Sequence, residues 1–494
     1  MRRCHLDGLF AIFLAAAVVL VLLTNDLGAP VGNGDEAIYA EFVRSMHATG
    51  DYLTLRYHDA VVTQRPVWPV AAYALVARVV PGAAGLRLLP VLLSWLTTLL
   101  VGLAVFRLHR RAAAAAVAML SVAAAPAWLT YGRLAWSDPP FVLACTAAVV
   151  ATAVALASPR PLVWVGAALG LALATKSLAA AIPALALAPW LLAAVRRHRR
   201  AAVRPLLVGG AVLVALAAPY YVYSFVRFGR YFLHDHFGQV LLARAWGELP
   251  GVGLSGGAGA YVVHIVRDEG WAFALAAVAV LVAATVFGLR ERRGGESALL
   301  VPASYVLVVL ACLSLLGTRL AHYLLPVYPA LGLCAGGVVA RLQEAAERRG
   351  RGALAAVVAP AAALVLVSTG LSRPPFDGSV LPAPQLVALG RSAAAVLAPS
   401  EPVYSLDFYA PALGYHADHR WRLLTTSARM AVIVGDVDVF AGDHTVVKGP
   451  PWPPGRLVVA VPDGVLARAP ELLVTGRIAA ERGIGLYEMA SVGN

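Results

Sequence analysis

Long apolar runs separated by short polar gaps set the pattern of this chain. About eleven such runs recur, of roughly 15–22 residues each, over 9–24, 86–106, 112–131, 140–157, 161–175, 178–195, 205–223, 271–289, 298–316, 323–340 and 353–371. A helix rises 1.5 Å per residue, so runs of this length cross the hydrocarbon core of a bilayer. The pattern predicts a mostly α, polytopic membrane protein with about 11 transmembrane helices in residues 1–372.

Three segments break the pattern. The loop 25–85 is long and amphipathic, and predicts two interfacial helices, over 36–48 and near 67–80, the second entered through Pro66. The loop 224–270 carries aromatics, His234-Asp235-His236 and a glycine-rich stretch at 251–259. The tail differs again. Pro374-Pro375, Pro382 and Pro384 mark a linker over 373–400, and short β-type runs at 403–406, 431–434, 457–461 and 484–487 alternate with turn residues. That alternation predicts a small soluble α/β domain over 401–494.

Composition agrees with the periodicity: 60% of residues are hydrophobic, 14% are charged and the mean hydropathy is +0.74. The net charge of +13 could suggest a polyanionic partner, but its distribution excludes nucleic acid as the reading. Arginines cluster in the gaps at Arg107/Arg110/Arg111, Arg196/Arg197/Arg199/Arg200/Arg204, Arg290/Arg292/Arg293 and Arg341/Arg348/Arg349/Arg351. With the N-terminus cytoplasmic, all these clusters are cytoplasmic, as the positive-inside rule requires, and the tail is external. Met1-Arg2-Arg3 resembles the start of a signal peptide; without a small-x-small cleavage site before Asp35, the first span is expected to stay as an anchor. Cys4, Cys145, Cys312 and Cys334 avoid the external loops, so no structural disulfide is expected.

The polar residues beside the spans carry the candidate chemistry, because charge near hydrocarbon is costly. Asp35 and Glu36 follow the first span; the pair suits acid–base work on a head group, and equally suits the N-terminus of a helix. Asp138, before Pro139, reads as a helix cap, a functional acid or both. Lys176 is one of only two lysines, with Lys448, in an arginine-rich chain. Its compact ammonium suits a phosphate oxygen, or it snorkels at a helix end. Arg65 can read a phosphate bidentately or be a solvated loop cation. Arg319, His322 and Tyr323 meet the membrane face together, as a site or as interface-belt residues. His234 and His236 form a weak metal-like pair. No phosphate loop ending in Gly-Lys-Ser/Thr, no CxxC and no HExxH occurs, so nucleotide hydrolysis is not expected.

Taken in order, these motifs resemble the bacterial GT-C glycosyltransferases of the protein O-mannosyltransferase and lipid A aminoarabinose transferase group. Gly34-Asp35-Glu36-Ala37-Ile38-Tyr39-Ala40 resembles the family's Asp-Glu motif, Gly50-Asp51-Tyr52-Leu53 the step after it, and Gln64-Arg65-Pro66-Val67 stands where the family has Glu-Lys-Pro-Pro. Asp138 is similar to a second-loop aspartate, Ala174-Thr175-Lys176-Ser177 to a Leu-Thr-Lys-Gly motif, and His322-Tyr323-Leu324-Leu325-Pro326 to a His-Tyr-x-Leu-Pro motif. Val403-Tyr404-Ser405 through Leu413-Gly414-Tyr415 resembles the opening of the family's external domain.

The resemblance implies an inverting transferase in a bacterial inner membrane, moving a sugar from a polyprenyl-phosphate donor to a lipid, protein or glycan acceptor. Asp35 would be the general base, with Glu36 beside it and Asp138 orienting or sharing the proton. Arg65, Lys176 and Tyr323 would hold the phosphate, with His322 and Arg319 at the same face. Neither metal nor cofactor is implied. Gln64 departs from the family's acid, and so keeps open a non-catalytic binder of polyprenyl phosphate. A lipid or solute transporter is the other alternative, although its ionisable groups would be expected near mid-membrane.

Overall fold

Helix follows the apolar runs closely. The structure, a computed structural model, describes residues 2–58, 60–243, 257–292, 297–350, 384–427 and 446–491. The helices are α1 (Arg2–Thr24), α2 (Asp35–Thr49), α3 (Trp68–Val79), α4 (Ala83–His109), α5 (Ala112–Ala123), α6 (Pro126–Tyr131), α7 (Asp138–Ala155), α8 (Leu162–Lys176), α9 (Ala181–His198) and α10 (Arg200–Phe228), then Trp271–Arg292, Leu300–Leu315 and Val327–Arg348. Among the described residues, six helices are long and apolar enough to cross a membrane, and Phe10–Thr24, Ala112–Ala123 and Leu300–Leu315 are shorter apolar ones. The protein is therefore a multi-pass membrane protein. The expected span at 353–371 lies outside the described residues, as do the strand at 431–434, the linker up to 383 and the glycine-rich stretch up to 256. The run at 112–131 is not one helix: Pro126, which cannot donate an N–H to the preceding turn, opens α6 as a separate helix after α5.

The chain divides into two compact units, Met1–Asp26 with Leu88–Arg227 and Gly253–Pro375, and Leu27–Arg87 with Phe228–Val252 and Phe376–Asn494. Among its described residues the first is built of helices, and small residues let them approach closely. A Cβ at Gly336 would lie 2.7 Å from the Ala118 Cβ and 2.9 Å from the Ala114 carbonyl oxygen, so Val327–Arg348 packs directly on the alanine face of α5. Where lipid is as apolar as the side chains, such small-residue contact is what holds helices together. Leu207, Val226 and Leu275 on the outer helices are exposed, as lipid-facing residues must be.

In the same unit, α7 and α8 form an antiparallel pair joined by 156–161. Asp138 opens α7 and Lys176 closes α8, so a simple count of helical rise brings both to one end of the pair. Phe141, Ala144 and Cys145 of α7 pack against Ala172 of α8 and Ala180 beyond it.

The second unit joins the first loop to the tail. Helices form at both expected places in the first loop, as α2 and α3. The latter buries Val70, Tyr73 and Ala74 and leaves Trp68, Leu75 and Val79 exposed, so it is apolar on both faces. Between them lies an antiparallel hairpin that the periodicity does not announce, β1 (Leu55–Tyr57) with β2 (Ala60–Val62). The tail forms a six-stranded mixed sheet in the order β5-β4-β3-β6-β8-β7, from β3 (Val403–Leu406), β4 (Trp421–Thr425), β5 (Val446–Lys448), β6 (Arg456–Pro462), β7 (Leu472–Glu481) and β8 (Ile484–Ser491). Strands β5, β4, β3 and β6 run parallel, and β8 and β7 close the sheet as an antiparallel pair. Leu406, Val459 and Met489 lie in its core. The crossover helix Pro411–Ala417 between β3 and β4 packs against α2.

Candidate active site

The chain turns into α2 at Gly34, whose backbone has φ 80° and ψ −141°. That positive φ is strained for any residue with a Cβ, which explains the glycine. Asp35 and Glu36 then occupy the first turn, and their environments differ sharply. Glu36 is buried in an ion pair with Arg87. Arg87 donates from Nε and Nη2 to the two carboxylate oxygens, both at 2.7 Å, and the Gly32 N–H donates to Oε2 at 2.7 Å. The same guanidinium holds the carbonyls of Leu27, Ala29 and Pro30. Glu36 is thereby spent on shaping the lead-in to α2. Arg87 escaped the sequence reading although it sits inside an apolar run, and a charge there was itself the available signal.

Asp35 keeps more solvent. Its carboxylate is 26% exposed and takes two longer bonds from Arg65, at 3.2 and 3.3 Å. Arg65 also lies 5.2 Å from the centroid of the Tyr39 ring. Burial works to lower the Arg65 pKa, but the Asp35 carboxylate and Tyr39 raise it well above the usual arginine value.

The segment before Arg65 is anchored by Asp235. Thr63 donates from its hydroxyl at 2.6 Å and its N–H at 3.2 Å to one carboxylate oxygen, and the Gln64 amide donates to the other at 2.7 Å. This gives the departure at Gln64 a physical reason. An amide can donate to Asp235, whereas a glutamate there would set two carboxylates against each other in a buried place. Next to it, the His236 Nδ1–H donates to the Thr63 carbonyl at 2.8 Å, and burial lowers the pKa of the ring. His234 is exposed, so the two histidines face different surroundings. Among the described residues, no group of three or more His, Cys, Asp or Glu side chains could hold a metal.

In the other unit, Lys176 and Asp138 meet as the helix pairing requires. The Lys176 ammonium donates to Asp138 Oδ1 at 2.5 Å, with the aspartate almost wholly buried. The ammonium also lies 5.1 Å from the Tyr323 ring centroid and 5.7 Å from that of Phe141. His322, next to Tyr323, packs edge-on against Trp136 at 4.9 Å and lies 5.9 Å from Tyr131. Arg319 is turned to its own chain, donating from Nε to the Ser314 carbonyl at 3.2 Å. The structure therefore joins Lys176, Asp138, Tyr323 and His322 in one cluster, and Asp35 with Arg65 in another.

Known proteins can be set beside this geometry. Residues 64–223 match the family of dolichyl-phosphate-mannose-protein mannosyltransferases, a stretch holding Arg65, Asp138 and Lys176. The crystal structure of ArnT from Cupriavidus metallidurans bound to undecaprenyl phosphate matches with a TM-score of 0.69 and 19% identity, covering 97% of both chains. The same protein in the apo state matches with a TM-score of 0.70 and 19% identity over 98% of both chains. The archaeal oligosaccharyltransferase AglB from Archaeoglobus fulgidus, in complex with an inhibitory peptide and a dolichol-phosphate, matches at 0.55 and 14% identity, covering 84% of this chain and 64% of its own. No curated protein matches in sequence. The resemblance carried by the motifs is thus borne out: residues 64–223 have the sequence pattern of the dolichyl-phosphate-mannose-protein mannosyltransferases, and the chain along nearly its whole length has the GT-C fold of ArnT.

Proposed function

We propose that this protein transfers a sugar from a polyprenyl-phosphate carrier to an acceptor hydroxyl of the bacterial envelope, with inversion at the anomeric carbon. The observation that carries the reading is the split between the two adjacent acids. Glu36 takes the structural load through Arg87, and Asp35 keeps a partly open carboxylate beside one arginine. The lipid carriers in the ArnT and AglB structures, and the donor in the matched family's description, support the donor class.

In this reading the acceptor hydroxyl gives its proton to Asp35 as its oxygen bonds to the anomeric carbon. The bond from that carbon to the phosphate oxygen breaks, and its electron pair leaves on the polyprenyl phosphate. Asp35 then returns the proton to water. Arg65 and Lys176 offset the charge on the leaving phosphate, and the Tyr323 hydroxyl donates to it. Asp138 orients Lys176, and His322 and Arg319 flank Tyr323. The reading keeps eleven crossings of the inner membrane, a cytoplasmic N-terminus and an external tail. It requires no metal and no nucleotide.

A non-catalytic lipid-phosphate binder is the second reading, and the missing acid at position 64 was its support. The Gln64–Asp235 hydrogen bond accounts for that residue on structural grounds and weakens the case. Mass spectrometry of envelope lipids and glycans decides between them, in a deletion strain complemented with wild type or Asp35→Asn. A glycan that disappears and returns only with wild type supports transfer through Asp35. Its return with the variant removes Asp35 from the chemistry.

A further inference from the structure

We infer that the tail domain positions the proposed base, by clamping the turn that carries Asp35 through Asn33. This rests on the reading of Asp35 given above.

Arg87 and Glu36 brace the turn up to Gly32, and beyond that point Gly34 adds no side-chain contact of its own. Gly34 sits at the N-cap position of α2 and offers no side chain to satisfy the open N–H groups there. Asn33, one residue earlier, is held by the tail. Its Nδ2 donates to the Tyr409 carbonyl at 3.0 Å, and its Oδ1 accepts from the Ala412 N–H at 3.2 Å. Both backbone groups lie where β3 passes into the helix Pro411–Ala417. The Asn33 amide carries its donor and its acceptor on separate atoms, so both bonds form at once. Two residues further back, the His416 Nε2–H donates to the Val31 carbonyl at 2.9 Å.

The same tail helix is gripped again beyond Asp35. Arg44 donates to the Tyr415 carbonyl at 2.9 Å, pairs with Asp418 at 3.0 Å and lies 4.4 Å from the Tyr415 ring centroid. Tail contacts at residues 31, 33 and 44 therefore straddle Asp35, whose carboxylate Arg65 holds. A small displacement of a reacting group costs a large factor in rate, so such a clamp acts on turnover more than on donor binding. Asn33 is a positioning residue, and the tail acts on the reaction through the turn it holds.

The test uses the full chain in lipid nanodiscs, as wild type, Asn33→Ala and Asn33→Asp. Two measurements are made: amide exchange of residues 31–38 by mass spectrometry, and kcat and KM with undecaprenyl-phosphate mannose as donor and an envelope lipid extract as acceptor. Asn33→Ala is expected to speed exchange of 31–38 about tenfold, leave exchange of β3 and β6 unchanged, and lower kcat about tenfold with KM within a factor of two. Asn33→Asp keeps the acceptor and loses the donor, and is expected to fall between. Unchanged exchange in Asn33→Ala overturns the clamp; faster exchange with an unchanged kcat overturns the positioning role. If wild type itself transfers no mannose, that donor is ruled out for the functional reading, and the exchange experiment still decides the clamp.

Discussion

Arg87 clasps Glu36 through two hydrogen bonds of 2.7 Å, with both side chains withdrawn from solvent. Removing one partner of such a pair strands a buried charge, at a cost of about 3–5 kcal/mol. Glu36→Gln and Arg87→Met should each lower the thermal unfolding midpoint of the purified protein markedly. Glu36→Leu combined with Arg87→Met should recover most of the loss, because no charge is then left unpaired. A double variant as unstable as either single one would show that the Arg87 bonds to the lead-in carbonyls dominate instead.

Asp35, one residue away, should behave differently. Its contacts are longer and it keeps more solvent than Glu36, so Asp35→Asn, which leaves the mostly buried Arg65 without its carboxylate, is expected to cost about 1–2 kcal/mol, less than Glu36→Gln. Turnover should fall by about 100-fold or more, the usual worth of a positioned base, with donor KM little changed. Unfolding midpoints and steady-state kinetics on one preparation separate the two effects. A stable variant that retains wild-type turnover would exclude Asp35 as the base.

Lys176 and Asp138 form a third testable unit. Lys176→Met leaves the nearly buried Asp138 without its cation, and should raise donor KM about tenfold, equivalent to about 1.4 kcal/mol. Asp138→Asn should have a smaller effect on KM, because the ammonium is retained but less well oriented. The double variant should be more stable than Lys176→Met alone, with a coupling of about 1–3 kcal/mol in a double-mutant cycle. Lys176→Arg should restore binding only in part, since a planar guanidinium does not fit the place of a compact ammonium. Additive effects in the cycle would mean that the 2.5 Å contact carries no energetic link.

The helices of the membrane region were legible because apolar runs and their arginine-flanked ends report burial in lipid directly. The runs at 140–157 and 161–175 return as Asp138–Ala155 and Leu162–Lys176, and the helices expected over 36–48 and near 67–80 form as α2 and α3. Where a local signal is weak, the reading failed. The hairpin of β1 and β2 has three residues per strand, too few to show alternation, and β7 is mostly exposed and mixed in character. The identity of Asp35, Asp138 and Lys176 as candidates came from charge beside apolar runs. Their partners did not, because pairs such as Asn33 with Tyr409, or Gln64 with Asp235, join residues far apart in sequence. Nothing in residues 401–494 alone announces that the tail grips the first loop.

That grip should depend on pH. Burial lowers the His416 pKa, Arg391 and Arg44 lower it further, and the Val31 carbonyl and Glu36 only partly oppose this. Its ring is therefore harder to protonate folded than unfolded, where the value is about 6.5. The unfolded chain binds more protons in the window between the two values, so stability rises with pH there. The contribution of His416 is fully present above about pH 6.5 and is lost as pH falls toward the lower folded value. His236, whose pKa burial also lowers, acts in the same direction on the segment before Arg65. Amide exchange at residues 31–38 should therefore quicken as pH is lowered from 7.5 to 5.5, after correction for the intrinsic exchange rate. His416→Gln, which keeps a donor for the Val31 carbonyl but cannot titrate, should flatten most of that dependence. An unchanged slope in this variant would assign the effect to His236 or to another group.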